Sequence, residues 1–263
     1  MKPPQFEYYR PGSLDEAVQL MARYGPDAKI LAGGQSLLPL LAMRQAQPKH
    51  LVDLQRVGEL AGIRSADGRL RIGAMVRQRE IERDSSVPLL VRCAVRHIGN
   101  FEVRNRGTVG GSLSYLDPAA EWPAVALVME AVIVTASQRG RREITARDFE
   151  LGPHTTALAA DEVLVEVLLP AGSAGFGFAE VTRRGVGDFA VAGAVCHGAA
   201  VAVFGVGQRP QRLPGVEAVV SAGQPADQLA EAAASEIDTT SAYRRRVAAA
   251  LVVRVVTEAA GRR

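Results

Sequence analysis

Leu31-Ala32-Gly33-Gly34-Gln35-Ser36-Leu37-Leu38-Pro39-Leu40 sets paired glycines and a serine between a short apolar run and a Leu-rich segment. A second segment answers it: Arg104-Asn105-Arg106-Gly107-Thr108-Val109-Gly110-Gly111-Ser112-Leu113-Ser114-Tyr115-Leu116-Asp117-Pro118. Paired glycines followed by Ser or Thr let backbone N–H groups converge on a phosphate, because no Cβ blocks the approach. Two such segments in one chain point to an extended anionic ligand held from two sides, with a dinucleotide as the first choice.

Neither segment is a standard nucleotide fingerprint. Gly33-Gly34-Gln35-Ser36 lacks the Gly-Lys-Ser/Thr ending of a P-loop, and Gly-x-Gly-x-x-Gly is absent. Gly175-Phe176-Gly177 and Gly205-Val206-Gly207 lack the third glycine. Locally, Gly33-Gly34 also fits a tight turn, although its place between a strand and a helix N-terminus is an anion-binding arrangement. In the second segment Gly107, Gly110 and Gly111 interleave with Thr108, Ser112 and Ser114, so hydroxyls and bare N–H groups share one stretch. Asp117 and Glu121 follow, acids able to accept hydrogen bonds from ribose or ribityl hydroxyls. The competing reading is an ordinary glycine-rich loop whose Asp117 caps the helix after Pro118.

Working outward, Ser13-Leu14-Asp15-Glu16 is a capping box, with Ala17, Leu20, Met21 and Tyr24 at helical spacing before Gly25-Pro26. A strand over residues 29–32, a helix over 37–43 with Pro39 in its first turn, and a strand over 50–54 make a βαβ-like unit. Leu70, Ile72 and Ala74 alternate as a half-buried strand. Helices over 78–83 and 89–97 precede the second glycine segment, read as a loop. A helix over 121–129, strands over 131–136 and 163–169, and a linker over 171–175 come next. The last unit has strands over 176–182 and across 190–206, turning near His197-Gly198. A Gly/Pro-rich connection follows, then a helix over 241–260 with Val247, Leu251, Val255 and Ala259 on one face. Residues 190–207 are apolar and long enough to span a bilayer. Gly193, Gly198, Gly205 and Gly207, with Val and Phe as the large residues, favour two buried strands instead.

The chain's 263 residues suffice for one large domain or for two or three smaller ones. Net charge is +3, and arginines alternate with acids, a solvated surface and not a nucleic-acid face. Cys93 and Cys196 sit in apolar contexts, as reduced thiols do, and are too few to ligate an iron–sulfur cluster. His50, His97, His154 and His197 are scattered, without HExxH or Cys-x-x-Cys, so no zinc pattern is present. Met1-Lys2-Pro3-Pro4-Gln5-Phe6-Glu7 has no apolar run after its charge, so no signal peptide or transmembrane segment is expected, and the location expected is cytoplasmic.

Taken in order, Ala32 to Leu40, Arg104 to Leu113, Asp117-Pro118-Ala119-Ala120-Glu121-Trp122-Pro123-Ala124 and Arg183-Arg184-Gly185-Val186-Gly187-Asp188-Phe189-Ala190 resemble one family. It is the FAD-binding (medium) subunit of molybdenum hydroxylases, the carbon monoxide dehydrogenase and xanthine dehydrogenase group. Phe6-Glu7-Tyr8-Tyr9-Arg10-Pro11 and Tyr243-Arg244-Arg245-Arg246 resemble it too, so the likeness covers nearly the whole chain.

The resemblance implies an α+β fold: a two-subdomain FAD-binding region of the vanillyl-alcohol-oxidase/PCMH type (1–56 and 57–172), then a small C-terminal α+β domain (173–263). It implies that Ala32, Gly33, Gly34, Gln35, Ser36 and Leu37 wrap the FAD pyrophosphate. Thr108, Val109, Gly110, Gly111, Ser112 and Ser114 form the opposite wall. Asp117 and Glu121 meet ribityl or ribose hydroxyls. Phe189, after Asp188, matches an aromatic position near the isoalloxazine ring, and Arg183 a basic one. No catalytic acid–base residue and no metal belong to this chain. Molybdopterin cofactor and [2Fe–2S] clusters are expected only in a large and a small partner subunit, joined as a dimer of heterotrimers. The flavin subunit takes electrons from [2Fe–2S] centres and passes them to NAD or a quinone-type acceptor. Two departures stand out: Ser112 replaces an Asn of some relatives, and the segment 190–215 lacks part of a β-hairpin. The alternatives are a non-catalytic nucleotide-binding or assembly protein with this fold, or a free-standing flavin oxidase.

Overall fold

A computed structural model of the chain describes residues 2–172 and 174–262. Met1 and Arg263, at the ends of the expected domain ranges, and Ser173, in the expected linker, lie outside the described residues.

The first sheet comprises β1 (Glu7–Tyr9), β2 (Ala28–Leu31) and β3 (His50–Asp53), ordered β1-β3-β2 with both pairings parallel. Parallel neighbours need crossovers, which here are α1 (Leu14–Tyr24) and α2 (Leu37–Ala42). Ser13 caps α1 by accepting from the Glu16 N–H at 3.2 Å, while the Glu16 carboxylate accepts from Gly12 N–H at 2.7 Å. Leu14, Ala17, Val18 and Met21 form the buried face of α1 and pack on Val134, Val163 and Leu168 of the next sheet.

That sheet is built from β4 (Ile63–Ala66), β5 (Arg69–Gly73), a helical stretch, β6 (Val132–Ser137), β7 (Gly140–Thr145) and β10 (Val163–Pro170), in the order β4-β5-β10-β6-β7. The β4–β5 hairpin turns at Asp67 and Gly68, with φ of 53° and 69°, the left-handed pair that matches strand twist. β10 is central and buried on both faces. Its one acid, Glu166, is neutralised by Arg64 and Arg71, each at 2.8 Å. The helices are α3 (Gln78–Arg83), α4 (Leu89–Val95), α5 (Phe101–Arg106), α6 (Val109–Tyr115) and α7 (Glu121–Val128). Short α8 (Ala146–Phe149), β8 (Glu150–Gly152) and β9 (Thr155–Thr156) complete the region. Trp122 on buried α7 donates its indole N–H to Gln78 Oε1 at 2.6 Å, so the one polar atom of its ring system is paired.

The third sheet, β11 (Phe176–Thr182), β12 (Ala190–His197), β13 (Ala200–Phe204) and β14 (Gln211–Arg212), is antiparallel throughout. One face meets α4 and α7 in a core that includes Phe176, Val195 and Phe204. The other is covered by α9 (Pro214–Ser221), α10 (Ala226–Glu236) and α11 (Ala242–Gly261). The apolar 190–207 stretch is a hairpin turning at Gly198 (φ 61°), and among the described residues no helix is long and apolar enough to cross a membrane.

The mixed α+β fold agrees with the expectation, and one element corrects it. The second glycine segment is not a loop: α5 runs to Arg106 and α6 starts at Val109, leaving only Gly107 and Thr108 between them. Glycine disfavours helix, but a Cβ on Gly110 would sit 2.7 Å from that of Ala74, so packing overrides propensity.

Gly177 plays the same part between β11 and α11. A Cβ there would lie 2.1 Å from the Val255 carbonyl oxygen, part of a helix backbone that cannot step aside. Gly177→Ala is expected to cost about 1–3 kcal/mol, as overpacking does, read as a lower urea midpoint; an unchanged midpoint contradicts this packing.

Candidate functional site

β2 delivers the chain to Ala32 and α2 takes it up at Leu37, so residues 32–36 form a tight connection. Gly33 and Gly34 are buried, and Gly34 has φ 75°. Among the described residues nothing accepts a hydrogen bond from the N–H groups of Gly33, Gly34, Gln35 or Ser36. The Gln35 side-chain amide instead donates to the Gly33 carbonyl at 3.1 Å. Consecutive unpaired N–H groups, two on buried glycines, are costly unless an outside acceptor meets them. A diphosphate has the charge and the oxygens to do so.

The second segment closes on this one backbone to backbone. A Cβ on Gly33 would lie 2.2 Å from the Arg106 carbonyl oxygen and 2.8 Å from Gly107 Cα. One on Gly111 would lie 3.6 Å from Ala32 Cβ, and one on Gly107 3.8 Å from Gln35 Cγ. The N–H groups of residues 109–112 are already used, contrary to the sequence reading. Val109 donates to Val76 at 3.0 Å and Gly110 to Ala74 at 2.8 Å. Gly111 donates to Thr108 Oγ1 and Ser112 to the Thr108 carbonyl, each at 3.1 Å. This wall therefore contributes shape and half-buried hydroxyl residues, Ser112 and Ser114, while the bare N–H groups belong to residues 33–36.

A third segment stands at the far end of α5. Residues 183–189 form a turn in which Thr182 Oγ1 donates to the Gly185 carbonyl at 2.8 Å and accepts from its N–H at 3.1 Å. Arg184 pairs with Asp188 at 2.8 Å and holds that carboxyl below the usual carboxylate range, so Asp188 braces the turn. Phe189 and Val186 are 70% and 77% exposed. Arg183 is exposed, with no hydrogen bond or ion pair among the described residues. A Cβ on Gly187 (φ 91°) would lie 2.7 Å from the Gly99 carbonyl oxygen, so this turn rests on the turn that opens α5. Six helical residues then set the two loops about 9 Å apart along the α5 axis.

The two acids sit differently. Asp117 does not cap α7: its Oδ1 accepts from Ala119 N–H at 2.9 Å, and the N-cap of α7 is Ala120, with no side-chain bond. Glu121 is buried, and its pKa is pushed up to about 8 by burial first and by the Glu180 carboxylate second. Glu180 binds His97 Nδ1 through Oε1 at 3.0 Å, and its Oε2 is buried without a partner. Glu121 thus belongs to the seam between α4, α7 and β11, where burial favours its neutral form. A cleft of about 480 Å³ at the opposite end of β12, lined by Glu130, His197, Arg212 and Glu217, shares no residue with these segments. Arg104, within the second glycine segment, carries no local signal of a role, and its contacts with the turn before α5 emerge only in the fold.

Residues 4–172 match the family profile described as the FAD binding domain in molybdopterin dehydrogenase. The nicotine 6-hydroxylase medium subunit of Paenarthrobacter nicotinovorans is 37% identical over 284 aligned residues, covering 100% of both chains. The carbon monoxide dehydrogenase medium chain of Hydrogenophaga pseudoflava is 43% identical over 198 residues, 73% of this chain and 69% of that one. In three dimensions the chain is similar to the carbon monoxide dehydrogenase structure from Hydrogenophaga pseudoflava lacking the Mo-pyranopterin moiety. The TM-score is 0.92 at 35% identity, covering 100% of this chain and 99% of that one.

The buried acids generate a pH prediction. A carboxyl whose folded pKa exceeds its unfolded value binds more protons when folded, so stability falls as pH rises between the two values. For Glu121 that window runs from about 4.5 to about 8, and for buried Glu150 to about 9. Glu121→Gln is expected to flatten the loss of urea stability across pH 5–8, leaving the Glu150 part. A pH profile parallel to that of the unmodified chain contradicts the assignment.

Proposed function

The chain belongs to the family of FAD-binding domains of molybdopterin dehydrogenases, and from that membership we propose that it takes electrons from [2Fe–2S] centres of a partner subunit and passes them to NAD or a quinone-type acceptor. It is an FAD-binding oxidoreductase subunit. The observation that carries the site assignment is the row of unpaired N–H groups on Gly33, Gly34, Gln35 and Ser36, locked against Arg106–Gly107.

FAD, when bound, supplies the redox chemistry; the protein supplies binding, orientation and electrostatics. In this reading residues 33–36 donate to the diphosphate oxygens, with Ala32 and Leu37 framing them. Thr108, Val109, Gly110 and Gly111 form a close wall without side-chain bulk, and Ser112 and Ser114 offer hydroxyls. Asp117, with Oδ1 engaged by Ala119, meets ribose or ribityl hydroxyls through its other oxygen. Glu121 acts from behind as a protonated acid, an O–H donor at neutral pH. Phe189 lies against the isoalloxazine ring on a turn braced by Asp188, and Arg183 lends that turn positive charge.

Domain boundaries at 56/57 and 172/173 belong to the same proposal. So do a large molybdopterin-binding partner and a small [2Fe–2S] partner, their arrangement as a dimer of heterotrimers, and a cytoplasmic location. The relatives' names as medium subunits support the partner assignment.

The chain purified alone is expected to show flavin absorption bands and to release FAD on denaturation. A colourless chain that FAD cannot reconstitute contradicts the reading and favours a non-catalytic assembly role; substrate oxidation by the chain without partners favours a free-standing oxidase. Phe189→Ala is expected to shift the flavin midpoint potential while FAD content stays near that of the unmodified chain. An unshifted potential removes Phe189 from the ring contact.

A further inference from the structure

α5 touches both proposed ligand loops: its opening turn carries Gly187 of the 183–189 segment, and its closing carbonyl carries Gly33. The spacing between the loops therefore depends on what holds that opening turn. The turn has its own strain, because Gly99 sits at φ 49° and a Cβ there would lie 2.8 Å from Val103. Its carbonyls, on Ile98 and Gly99, lie past the end of α4 in non-helical backbone and have no helix N–H to meet them.

Arg104 meets them. Its guanidinium NH1 donates to the carbonyls of Gly99, Ile98 and Arg96 at 2.8, 3.1 and 3.3 Å. Its Nε lies 3.4 Å from Glu82 Oε2, a carboxylate also held by Arg79 at 2.8 Å. The side chain is only 14% exposed, so these contacts are shielded from water. One planar cation thus ties the end of α4, the turn and α3 to the helix on which it sits. His97, the residue before Ile98, binds Glu180 of β11 at 3.0 Å, so the same turn is also tied to the third sheet.

We propose that Arg104 is the positioning residue that couples the two ligand loops, fixing the Ile98–Asn100 turn so that the 183–189 segment and residues 33–36 keep one spacing. This rests on the reading that a flavin dinucleotide spans the two. A loosened turn would free Gly187 from Gly99 and let α5 shift against Gly33. Lysine does not replace the arginine: its ammonium is one bond shorter and cannot serve the carbonyls and Glu82 together.

The test is hydrogen–deuterium exchange by mass spectrometry on the full chain, flavin-free and FAD-loaded, for Arg104→Met, Arg104→Lys and Arg79→Met. Both Arg104 variants are expected to exchange about tenfold faster at 183–189 and at 33–36, and to release FAD about tenfold faster, within the range of measured couplings. Arg79→Met, which removes a guanidinium from Glu82 but none from the carbonyls, is expected to exchange at the unmodified rate at both loops. If Arg104→Met does not fold, Arg104→Lys decides. Faster exchange confined to 89–106 overturns the proposal, since a merely local role predicts that pattern. Equal loosening by Arg79→Met also overturns it. Failure of FAD to bind at all refutes the functional reading instead; in the flavin-free chain the coupling is then decided by exchange at Leu38 and Asp188, whose N–H groups are bonded to the Gly34 and Gly185 carbonyls.

Discussion

Gly33 approaches the Arg106 carbonyl so closely that a Cβ would stand 2.2 Å from the oxygen. That backbone-to-backbone contact seats the connection leaving the first sheet on the α5–α6 junction of the second. It requires glycine for lack of space and not for an unusual φ, whereas its neighbour Gly34 needs glycine's freedom at φ 75°. With no side chain in the way, four N–H groups remain without acceptors among the described residues, beside a wall in which the N–H groups of Val109, Gly110, Gly111 and Ser112 are engaged. In the proposed reading this asymmetry divides the labour: one loop would bind charge and the other would supply shape.

The buried acids show where the fold is tuned and where it is left under stress. Glu166 is matched by Arg64 and Arg71, Glu162 by Arg142, and Glu82 by Arg79 and Arg104. Among the described residues Glu121 and Glu150 have no such cation in hydrogen-bond contact, and burial pushes them up to about 8 and about 9. Local inconsistency of this kind tends to cluster at functional sites. In the proposed reading Glu121 fits that pattern, four residues after Asp117 and beside Glu180 of β11.

Much of this was legible in the sequence because local signals were strong. The Ser13 cap, the break at Gly25-Pro26, the apolar residues of β10 on either side of Glu166 and the turn at Gly198 all act through neighbours within a few residues. The second glycine segment misled because Gly110 answers to a tertiary contact with Ala74, which no local rule reveals. β1 was missed for a similar reason: three residues, two of them exposed, pair in parallel with a strand more than forty positions away. α9 and α10 were missed because Ala and exposed polar residues give them a weak apolar stripe. At the proposed site, the glycine segments were legible from their pattern, and Phe189 entered only through the family resemblance. Arg104 was not legible, since its meaning lies in three carbonyls that only folding brings together.

Amide chemical shifts of the isotopically labelled, flavin-free chain, titrated with FAD and separately with riboflavin, test the central claim most directly. The account predicts that FAD moves the amide signals of Gly33, Gly34, Gln35 and Ser36 downfield as their N–H groups meet phosphate oxygens, and that riboflavin, which has no phosphate, leaves them in place. FAD binding with those four signals unmoved would contradict it.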